Sequence, residues 1–459
     1  MMIKPKTAIL IGAGDRGKDI FGNYALRYPN EIRIIAVADP NQKRREAVAS
    51  DHFIEQKNCY SSWEPLLSKE KFADIAIITT QDQMHFKPAI SAMKKEYDVL
   101  LEKPMATSLE ECKELVKVAG ETERILQICH VLRFTPFFTT IKNLIASDKI
   151  GDVVNISLRE NIAAFHYAHS YTRGNWHNRE KSSPMILAKS CHDLDILHWF
   201  ADSQAEKISS FGSQTHFSKE KIPNGAPEFC VEGCPISKTC LYYAPRIYMD
   251  IIPLLQIAKK GGKGITKIIS SKVLKFPWLK KIPPFTKVKD YSGWPISTIS
   301  EDLTVEGKKK ALSATNYGRC VYRINDHNTV DHQVVNIEFK NKITATFTMQ
   351  GFSHEEGRTL RVDGTKGTII GEFLQSGDRI VFYDTFSGKR KTIRKTNMLD
   401  SHGGGDDGIM KAFIQNVNSN ERSSILTDAQ SSLESHLMAF AADISRLEER
   451  VVNMESIRN

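Results

Sequence analysis

The sequence predicts an α/β protein in which an N-terminal, doubly wound parallel sheet precedes an α+β domain with a mostly antiparallel sheet. Short apolar runs alternate with helix-length polar stretches up to about residue 130, the pattern of a parallel sheet covered by helices. Beyond about residue 150, strand-like segments follow one another and long helices are few. Because 459 residues are many for a single core, we expect two domains, over residues 1–130 and 131–459.

The N-terminal elements alternate between the two types of secondary structure. Apolar runs predict strands, and the amphipathic stretches between them predict helices. A helix between consecutive strands returns the chain to the same end of the sheet, so these strands should be parallel. The strands are expected over residues 7–12, 32–38, 73–79, 97–101 and 124–128, and the helices over residues 41–50, 84–95 and 109–119.

The second domain reads as strands separated by turns, with a few helices. Residues 213–315 interrupt this pattern, because they are rich in Pro, Lys and Gly and show little periodicity, so we expect them to be an insert. The strands are expected over residues 153–159, 207–212, 331–338, 343–349, 359–363 and 379–383, and the helices near residues 190–200, 408–417 and 428–446.

Composition narrows the possible functions. The net charge is +9, but residues 251–289 hold ten lysines and no acidic residue, which leaves −1 for the rest of the chain. The basic character is therefore local, and a nucleic-acid partner is not expected. No run approaches the roughly 18 apolar residues that span a bilayer. The first apolar run ends in a glycine turn rather than in a cleavage site, which favours a cytoplasmic protein.

A glycine-rich turn follows the first predicted strand and opens the first helix. It reads Gly12-Ala13-Gly14-Asp15-Arg16-Gly17, the pattern of a Rossmann turn that lets the backbone approach a pyrophosphate. Asp39 ends the second strand, where its carboxylate can bind the adenosine ribose and repel a 2′-phosphate. NAD is therefore favoured over NADP, although the nearby Lys43, Arg44 and Arg45 weaken this preference. The alternative is a glycine turn with no ligand.

Several further segments resemble the Gfo/Idh/MocA oxidoreductases along the whole chain. The signature runs from Thr79 to His85 and from Val99 to Ala106, and it continues in later segments such as Gly174-Asn175-Trp176 and Ser190–Asp195. The resemblance implies a sugar-handling dehydrogenase with NAD between two domains. The residues that it and the glycine turn predict to bind the cofactor are Gly12, Gly14, Asp15, Arg16, Gly17, Asp39, Thr79, Thr80, Asp82, His85, Glu102 and Lys103.

The resemblance implies that Lys103 lies beside the nicotinamide and the substrate hydroxyl, and that the bond to the following proline is cis. Oxidation of an alcohol needs a positioned group that takes up the proton, and a lysine near a cationic ring suits this role. His192 matches the second-domain histidine of the family, which acts as acid or base. Without the resemblance, Lys103 would be read as a surface lysine and His192 as a structural histidine.

The sequence departs from the family where many relatives place an aspartate four residues before the histidine. Ala188 stands there, and Lys189 follows it. We predict that Lys189 supplies a positive charge or a proton instead; the alternative is a surface lysine at the start of a helix. Sugar binding is predicted for His192 and for Arg133, Asn175 and Trp176, because planar polar groups and aromatic faces suit carbohydrate ligands.

The inserted region carries two further patterns. Cys230, Cys234 and Cys240, together with His216, could close a structural zinc site, or the three cysteines could be unrelated thiols. The lysines between residues 259 and 289 alternate with apolar residues. We favour a solvated lid that covers the pocket or a partner subunit; the alternative is an element that lies on an anionic surface.

The predicted function is reversible oxidation of a secondary hydroxyl on a sugar, polyol or sugar derivative, with NAD as hydride acceptor. One alternative is an enzyme that retains NAD and cleaves or epimerises a glycoside by transient oxidation. Another is an NAD-binding sensor without activity. A homo-oligomer, dimer or tetramer, is expected from the resemblance alone.

Overall fold

The N-terminal part forms a parallel sheet of six strands in the order β3-β2-β1-β4-β5-β6. The structure is a computed structural model, and it describes residues 4–283, 285–288, 291–396, 402–419 and 425–459. The central strands are buried along their whole length, which explains their continuous apolar sequence. The strands are β1 (Lys6–Ile11), β2 (Ile32–Ala38), β3 (Cys59–Tyr60), β4 (Ile75–Ile78), β5 (Asp98–Leu101) and β6 (Leu126–Ile128).

Helices connect these strands. The first helix begins with turns of the wider π type over Asp15–Gly22 and continues as α1 (Asn23–Arg27). The helix after β5 begins where the Ser108 side chain accepts a hydrogen bond from the amide of Glu111. The others are α2 (Gln42–Asp51), α3 (Trp63–Ser68), α4 (Phe86–Lys94) and α5 (Leu109–Thr122). The predicted doubly wound parallel sheet is confirmed.

The second sheet has nine strands in the order β14-β13-β12-β11-β7-β10-β9-β8-β15, and only β7 and β10 pair in parallel. Buried residues alternate along β9 and β12, so one face of the sheet lies on the core. The strands are β7 (Val153–Ala163), β8 (Ala205–Ser213), β9 (His332–Phe339), β10 (Thr344–Ser353), β11 (Gly357–Gly364), β12 (Gly367–Leu374), β13 (Gly377–Asp384), β14 (Arg390–Thr396) and β15 (Val452–Asn453). The predicted, mostly antiparallel sheet is confirmed.

Helices of the second part link the two sheets. The apolar residues of α14 pack in the core of the N-terminal sheet, whereas those of α15 pack mainly against the second sheet. The backbone amide of Ile128 donates to the carbonyl of Thr427, just before α15 begins. The helices are α6 (Pro136–Ala146), α7 (Ala164–Tyr167), α8 (Met185–Ala188), α9 (Cys191–Ala201), α14 (Gly405–Ser419), α15 (Ala429–Glu448) and α16 (Glu455–Arg458).

The insert has more structure than its sequence suggests. It follows the end of β8 at Ser213 and contains α10 (Ala244–Tyr248), α11 (Ile252–Gly261), α12 (Gly264–Lys275) and α13 (Val305–Ala314). Tyr248, Val273 and Leu312 are buried in an apolar cluster of its own, joined by Phe165 of α7. The sequence shows little periodicity here because the apolar residues are spread over several short helices, and no single window shows a clear period.

No helix in the described part of the chain is long and apolar enough to cross a membrane. Lys289, the last residue of the basic stretch, lies outside the described residues.

Candidate functional site

The glycine turn leaves room where a phosphate would pass. Gly12 has φ +98°, and a Cβ there would lie 2.7 Å from the carbonyl oxygen of Thr79, so a larger residue is excluded. At Gly17 a Cβ would collide with the carbonyl of Gly12. A Cβ on Gly14 would meet nothing within 4 Å. This open space at the start of the helix fits the pyrophosphate of a dinucleotide.

Asp39 lies beside this turn, at the end of β2. One carboxylate oxygen accepts a hydrogen bond from the amide of Ala13 (2.6 Å), and the other accepts one from the amide of Asn41 (2.8 Å). Each oxygen keeps a second lone pair, so the carboxylate can still accept from a ribose hydroxyl. The structure thus brings Asp39 to the turn, as the spacing predicted.

The charged groups of Arg16 and Glu102, two of the predicted cofactor ligands, form an ion pair with each other. The Arg16 guanidinium lies 2.6 Å from Glu102 and 2.8 Å from Asp406 at the start of α14. Burial would raise the pKa of Asp406, but His402 and Arg16 hold it well below its ordinary value. These charges connect the glycine turn, the end of β5 and α14, so we assign them a positioning role.

Thr79, Thr80 and His85 also bond to the protein itself. The Thr79 hydroxyl donates to the carbonyl of Gly12 (2.7 Å), and the Thr80 hydroxyl donates to that of Met84 (3.0 Å). The two ring nitrogens of His85 lie 2.7 Å from the carbonyl of Pro104 and 3.0 Å from that of Thr80. These side chains fix the loops after β4 and β5, and His85 has no ring nitrogen left for the cofactor.

Lys103 extends from the end of β5 to the second part of the chain. Its Nζ donates to the carbonyl of Ala188, the last residue of α8, at 2.7 Å. The Lys103–Pro104 bond is cis, as the resemblance implied. The amide of Met105 donates to Nε2 of His436 on α15 (2.9 Å), so a helix of the second part holds the segment that carries Lys103.

His192 lies in the first turn of α9, four residues beyond Ala188. The side chain is buried, and Nδ1 has no hydrogen-bond partner among the described residues. Burial lowers the pKa of His192 well below its ordinary value, and the neighbouring Lys103 and His130 lower it further. The imidazole is therefore neutral, lies close to Lys103 and has an unused polar atom.

Lys189 forms ion pairs with two carboxylates. Its Nζ lies 3.4 Å from Glu160 and 3.3 Å from Glu356. Burial alone would lower the pKa of Lys189, but these two carboxylates raise it above its ordinary value. Lys189 thus keeps its positive charge, and that charge is balanced by carboxylates of the second sheet. That it supplies a positive charge or a proton to the reaction stays a prediction.

The sequence reasoning missed the group of charges around Lys189. Arg358 of β11 pairs with Glu160 of β7 and, at 2.8 Å, with Asp193 of α9. Burial raises the pKa of Glu160, and the neighbouring Arg358 and Lys189 oppose that rise. The available signal was Glu160 at the inward position of an alternating strand, a place where an acid requires a cation.

Comparison with known families agrees with this arrangement. The family model described as oxidoreductase family, NAD-binding Rossmann fold, matches residues 6–130, and the model of its C-terminal alpha/beta domain matches residues 142–231 and 302–454. The chain belongs to the Gfo/Idh/MocA oxidoreductase family. These matches leave residues 232–301, the middle of the insert, uncovered.

Known relatives of this Gfo/Idh/MocA protein are distant. YteT of Bacillus subtilis, named as an oxidoreductase, is 22% identical over 98% of both chains. Inositol 2-dehydrogenase of Salmonella typhimurium is 24% identical over 44% of this chain and 56% of its own length. 2,7-Anhydro-N-acetylneuraminate hydratase of Escherichia coli is 25% identical over 44% of this chain and 53% of its own.

Solved structures share the fold. An Agrobacterium radiobacter oxidoreductase in complex with NAD⁺, L-tartaric acid and magnesium has a TM-score of 0.64 at 14% identity, over 99% of this chain and 100% of that one. The WlbA dehydrogenase of Bordetella pertussis, in complex with NADH and UDP-GlcNAcA, has a TM-score of 0.61 at 13% identity, over 99% of each chain.

The predicted sugar ligands of this Gfo/Idh/MocA protein are not all available. Arg133 is buried, and its guanidinium binds both oxygens of Asp195 at 2.8 and 2.7 Å. Its Nη1 also donates to the carbonyl of Leu426 and to the hydroxyl of Ser431, so these bonds use four of the five N–H donors of the guanidinium. Asn175 is exposed, and the indole N–H of Trp176 donates to Asp82 (2.9 Å), which joins the two parts of the chain.

The predicted zinc site is not formed. Nε2 of His216 pairs with the hydroxyl of Tyr322 at 3.0 Å. The thiols of Cys230, Cys234 and Cys240 line one small cavity that His216 does not reach. Within the described residues, no group of three or more His, Cys, Asp or Glu is arranged to hold a metal ion. All eight cysteines are free thiols, and the zinc prediction finds no support.

Proposed function

We propose that the protein transfers a hydride between NAD and a secondary hydroxyl of a sugar, polyol or sugar derivative. The observation that carries the proposal is the meeting of Lys103 and His192 where the two sheets adjoin. Lys103 follows the strand that ends beside the glycine turn, and its ammonium reaches the end of α8, four residues before His192 in the first turn of α9. A reacting hydroxyl between them would face one cation and one neutral imidazole.

These two residues suit alcohol oxidation. The C–H bond of the carbinol breaks with its electron pair, and the hydroxyl proton must leave as the carbonyl forms. Lys103 stabilises the developing negative charge on the oxygen, and neutral His192 accepts a hydrogen bond or the proton itself. Ala188 offers only its backbone carbonyl, which holds the Lys103 ammonium in place of the carboxylate that many relatives have.

The residues around the glycine turn fit NAD. The space at Gly14 would hold the pyrophosphate, and Asp39 would bind the adenosine ribose. When bound, NAD supplies the hydride acceptor. Asp82, through its bond with Trp176, would keep the two parts of the chain closed over the crevice.

A residue of the insert supports NAD over NADP. Glu301 pairs with Lys43 at 3.1 Å and accepts a hydrogen bond from Asn41, both just beyond Asp39. The bond from Lys43 lowers the pKa of Glu301, so the carboxylate stays charged. A 2′-phosphate at this point would meet Asp39 and Glu301, while the lysine that could bind it is already paired.

The Glu301→Gln variant tests this assignment. We expect the ratio of kcat/KM with NAD to kcat/KM with NADP to fall by at most about fivefold, because the repulsion of a 2′-phosphate is lost and Lys43 is released to bind it. Glu306→Gln, which changes an exposed acid of the same insert, is the matched control and should leave the ratio unchanged. An unchanged ratio in Glu301→Gln would contradict the role of Glu301.

The central experiment is a panel of sugars and polyols with NAD or NADP, followed at the nicotinamide absorbance band. The proposal predicts that at least one compound produces NADH in proportion to its oxidised product. If no compound is turned over while NAD binds, the proposal fails and the sensor alternative is favoured.

A second candidate is an enzyme that keeps its NAD and restores it in each cycle. Two observations favour it: a relative is named as a hydratase, and Glu301 brings the insert to the adenosine end of the crevice. In that case the substrate would be consumed without accumulation of NADH, and cofactor would copurify with the chain. Both measurements separate it from the first candidate.

The prediction of a homo-oligomer remains a proposal that rests on the family resemblance.

A further inference from the structure

One part of the insert exposes large apolar side chains. In α12 and the segment after it, Ile265 is 69% exposed, Ile268 55% and Trp278 58%. Phe276 and Ile282 are exposed as well. Water-exposed aliphatic and aromatic groups gathered in one place indicate a contact surface. We call the exposed residues between 263 and 282 the basic–apolar surface.

The charges on this surface have one sign. Residues 251–289 include no acidic residue. Of the lysines described there, Lys260 and Lys280 have carboxylate partners, Glu355 and Asp250. No ion pair within the described part of the chain involves the other lysines. The lysines that are exposed on the basic–apolar surface are Lys263, Lys267, Lys272, Lys275 and Lys281.

Helix α12 has one buried side, which packs inside the insert, and one exposed side, which belongs to the basic–apolar surface. Ser270 and Val273 are buried, and Val273 lies in the apolar cluster of the insert. Ile265 and Ile268 lie three residues apart, Lys272 follows four residues later, and all three are exposed. The exposed isoleucines are therefore not needed to form the core. In this chain they face water, which leaves a partner subunit or an anionic surface as what they contact.

We propose that the basic–apolar surface docks this protein on an anionic lipid membrane. Lysines attract the negatively charged headgroups, each by about 1 kcal/mol near the surface. Isoleucine and tryptophan side chains gain by entering the boundary between headgroups and acyl chains, the arrangement of interfacial amphipathic helices. A polyanionic sugar or a nucleic acid would satisfy the lysines but would leave the isoleucines in water.

The surface is separate from the proposed catalytic residues. It lies within residues 232–301, which the family match leaves uncovered, whereas Lys103 and His192 lie in matched segments. Variants of exposed surface residues should therefore keep their fold and turnover. Membrane docking adds a location to the proposed function and does not depend on it.

Flotation with vesicles tests the proposal. The full chain is mixed with vesicles of phosphatidylcholine alone or of phosphatidylcholine with phosphatidylserine, at low and high salt. We expect flotation only with phosphatidylserine, and its loss at high salt. The Lys267→Glu/Lys272→Glu variant should bind at least about tenfold more weakly, since each lysine contributes about fivefold. Ile268→Ser/Trp278→Ser should also reduce binding.

Matched controls come from exposed residues elsewhere. Phe53, which is 93% exposed in the N-terminal part, is changed to Ser, and the exposed Lys309 is changed to Glu. Both variants should float as the unaltered protein does. Equal binding by all variants would overturn the proposal, and so would absence of binding at low salt.

Two other outcomes would also overturn it. If light scattering shows an oligomer that Ile268→Ser/Trp278→Ser dissociates, the surface binds a second copy of the chain. If soluble polyanions such as heparin bind more tightly than the vesicles and Trp278→Ser does not affect them, the surface recognises charge alone.

Discussion

The Lys103 ammonium donates a hydrogen bond to the Ala188 carbonyl and so joins the end of β5 to the second part of the chain. Replacing Lys103 with Met removes the ammonium while keeping the length of the side chain. We expect Lys103→Met to lower kcat by about 10²- to 10³-fold, the usual loss when one group that stabilises a developing negative charge on oxygen is removed. Steady-state kinetics on the best substrate of the panel, with NAD binding measured by calorimetry, checks this. Lys94→Met on α4 is the control, and equal activity of the two variants would remove Lys103 from the reaction.

Two buried histidines near His192, His130 and His436, should make the free energy of unfolding decrease in acid. Burial lowers the pKa of His130 to about 4 and that of His436 to about 3. Their pKa in the unfolded chain is about 6.5, so below that pH the unfolded chain binds protons that the folded chain does not. Stability is therefore complete above about pH 6.5 and falls as the pH is lowered towards 4.

At pH 5 each of these histidines should remove about 2 kcal/mol from the free energy of unfolding, relative to pH 7. Urea unfolding at both pH values measures the loss. His436→Gln, which keeps an acceptor for the Met105 amide, should reduce the loss by about that amount, whereas His354→Gln at an exposed position should not. The same loss in all three proteins would contradict the assignment.

Residue-level prediction succeeded where a local pattern fixes the geometry. The glycine turn and Asp39 are adjacent because a strand ends at each of them. It did not reveal partners that lie far along the chain: Asp195 pairs with Arg133, and the Tyr322 hydroxyl pairs with His216. A single sequence does not show which distant group will satisfy a buried donor.

At the scale of elements, β7, β11 and α9 meet around the buried charges of Lys189, Glu160 and Glu356. Lys189→Met removes the cation that the two carboxylates share and leaves Glu160 paired with Arg358 and Glu356 with His166, which should destabilise the protein by about 3–5 kcal/mol. Lys117→Met removes a surface ion pair on α5 and should cost at most about 1 kcal/mol. Urea unfolding of the two variants gives the comparison, and equal small losses would show that the buried group is not held by Lys189.

Most long elements were predicted, and the missed strands have physical causes. β3 has only two residues, too few to show a period. β12 includes two glycines, and its alternating burial is hidden by apolar residues on both faces. β14 lies at the edge of the sheet and is mostly Arg, Lys and Thr, which suits an exposed edge but resembles a loop in sequence.

At the scale of the whole molecule, the two sheets are joined by contacts that a sequence cannot show. Asp406 of α14 pairs with Arg16, and His436 of α15 holds the segment after Lys103. Both helices come late in the chain but pack where the sheets adjoin. Sequence motifs predicted the doubly wound sheet and the family. The contacts of α14 and α15 with the N-terminal sheet depend on tertiary packing, which those motifs do not show.

The central claim is that a substrate hydroxyl and the nicotinamide ring meet between Lys103 and His192. A crystal structure of the protein with NADH and a polyol from the panel tests it most directly. The account predicts the ribose on Asp39, the pyrophosphate over Gly14, and a polyol hydroxyl within hydrogen-bond distance of Lys103 Nζ and the His192 ring. A polyol bound elsewhere, with the nicotinamide turned away from Lys103, would contradict it.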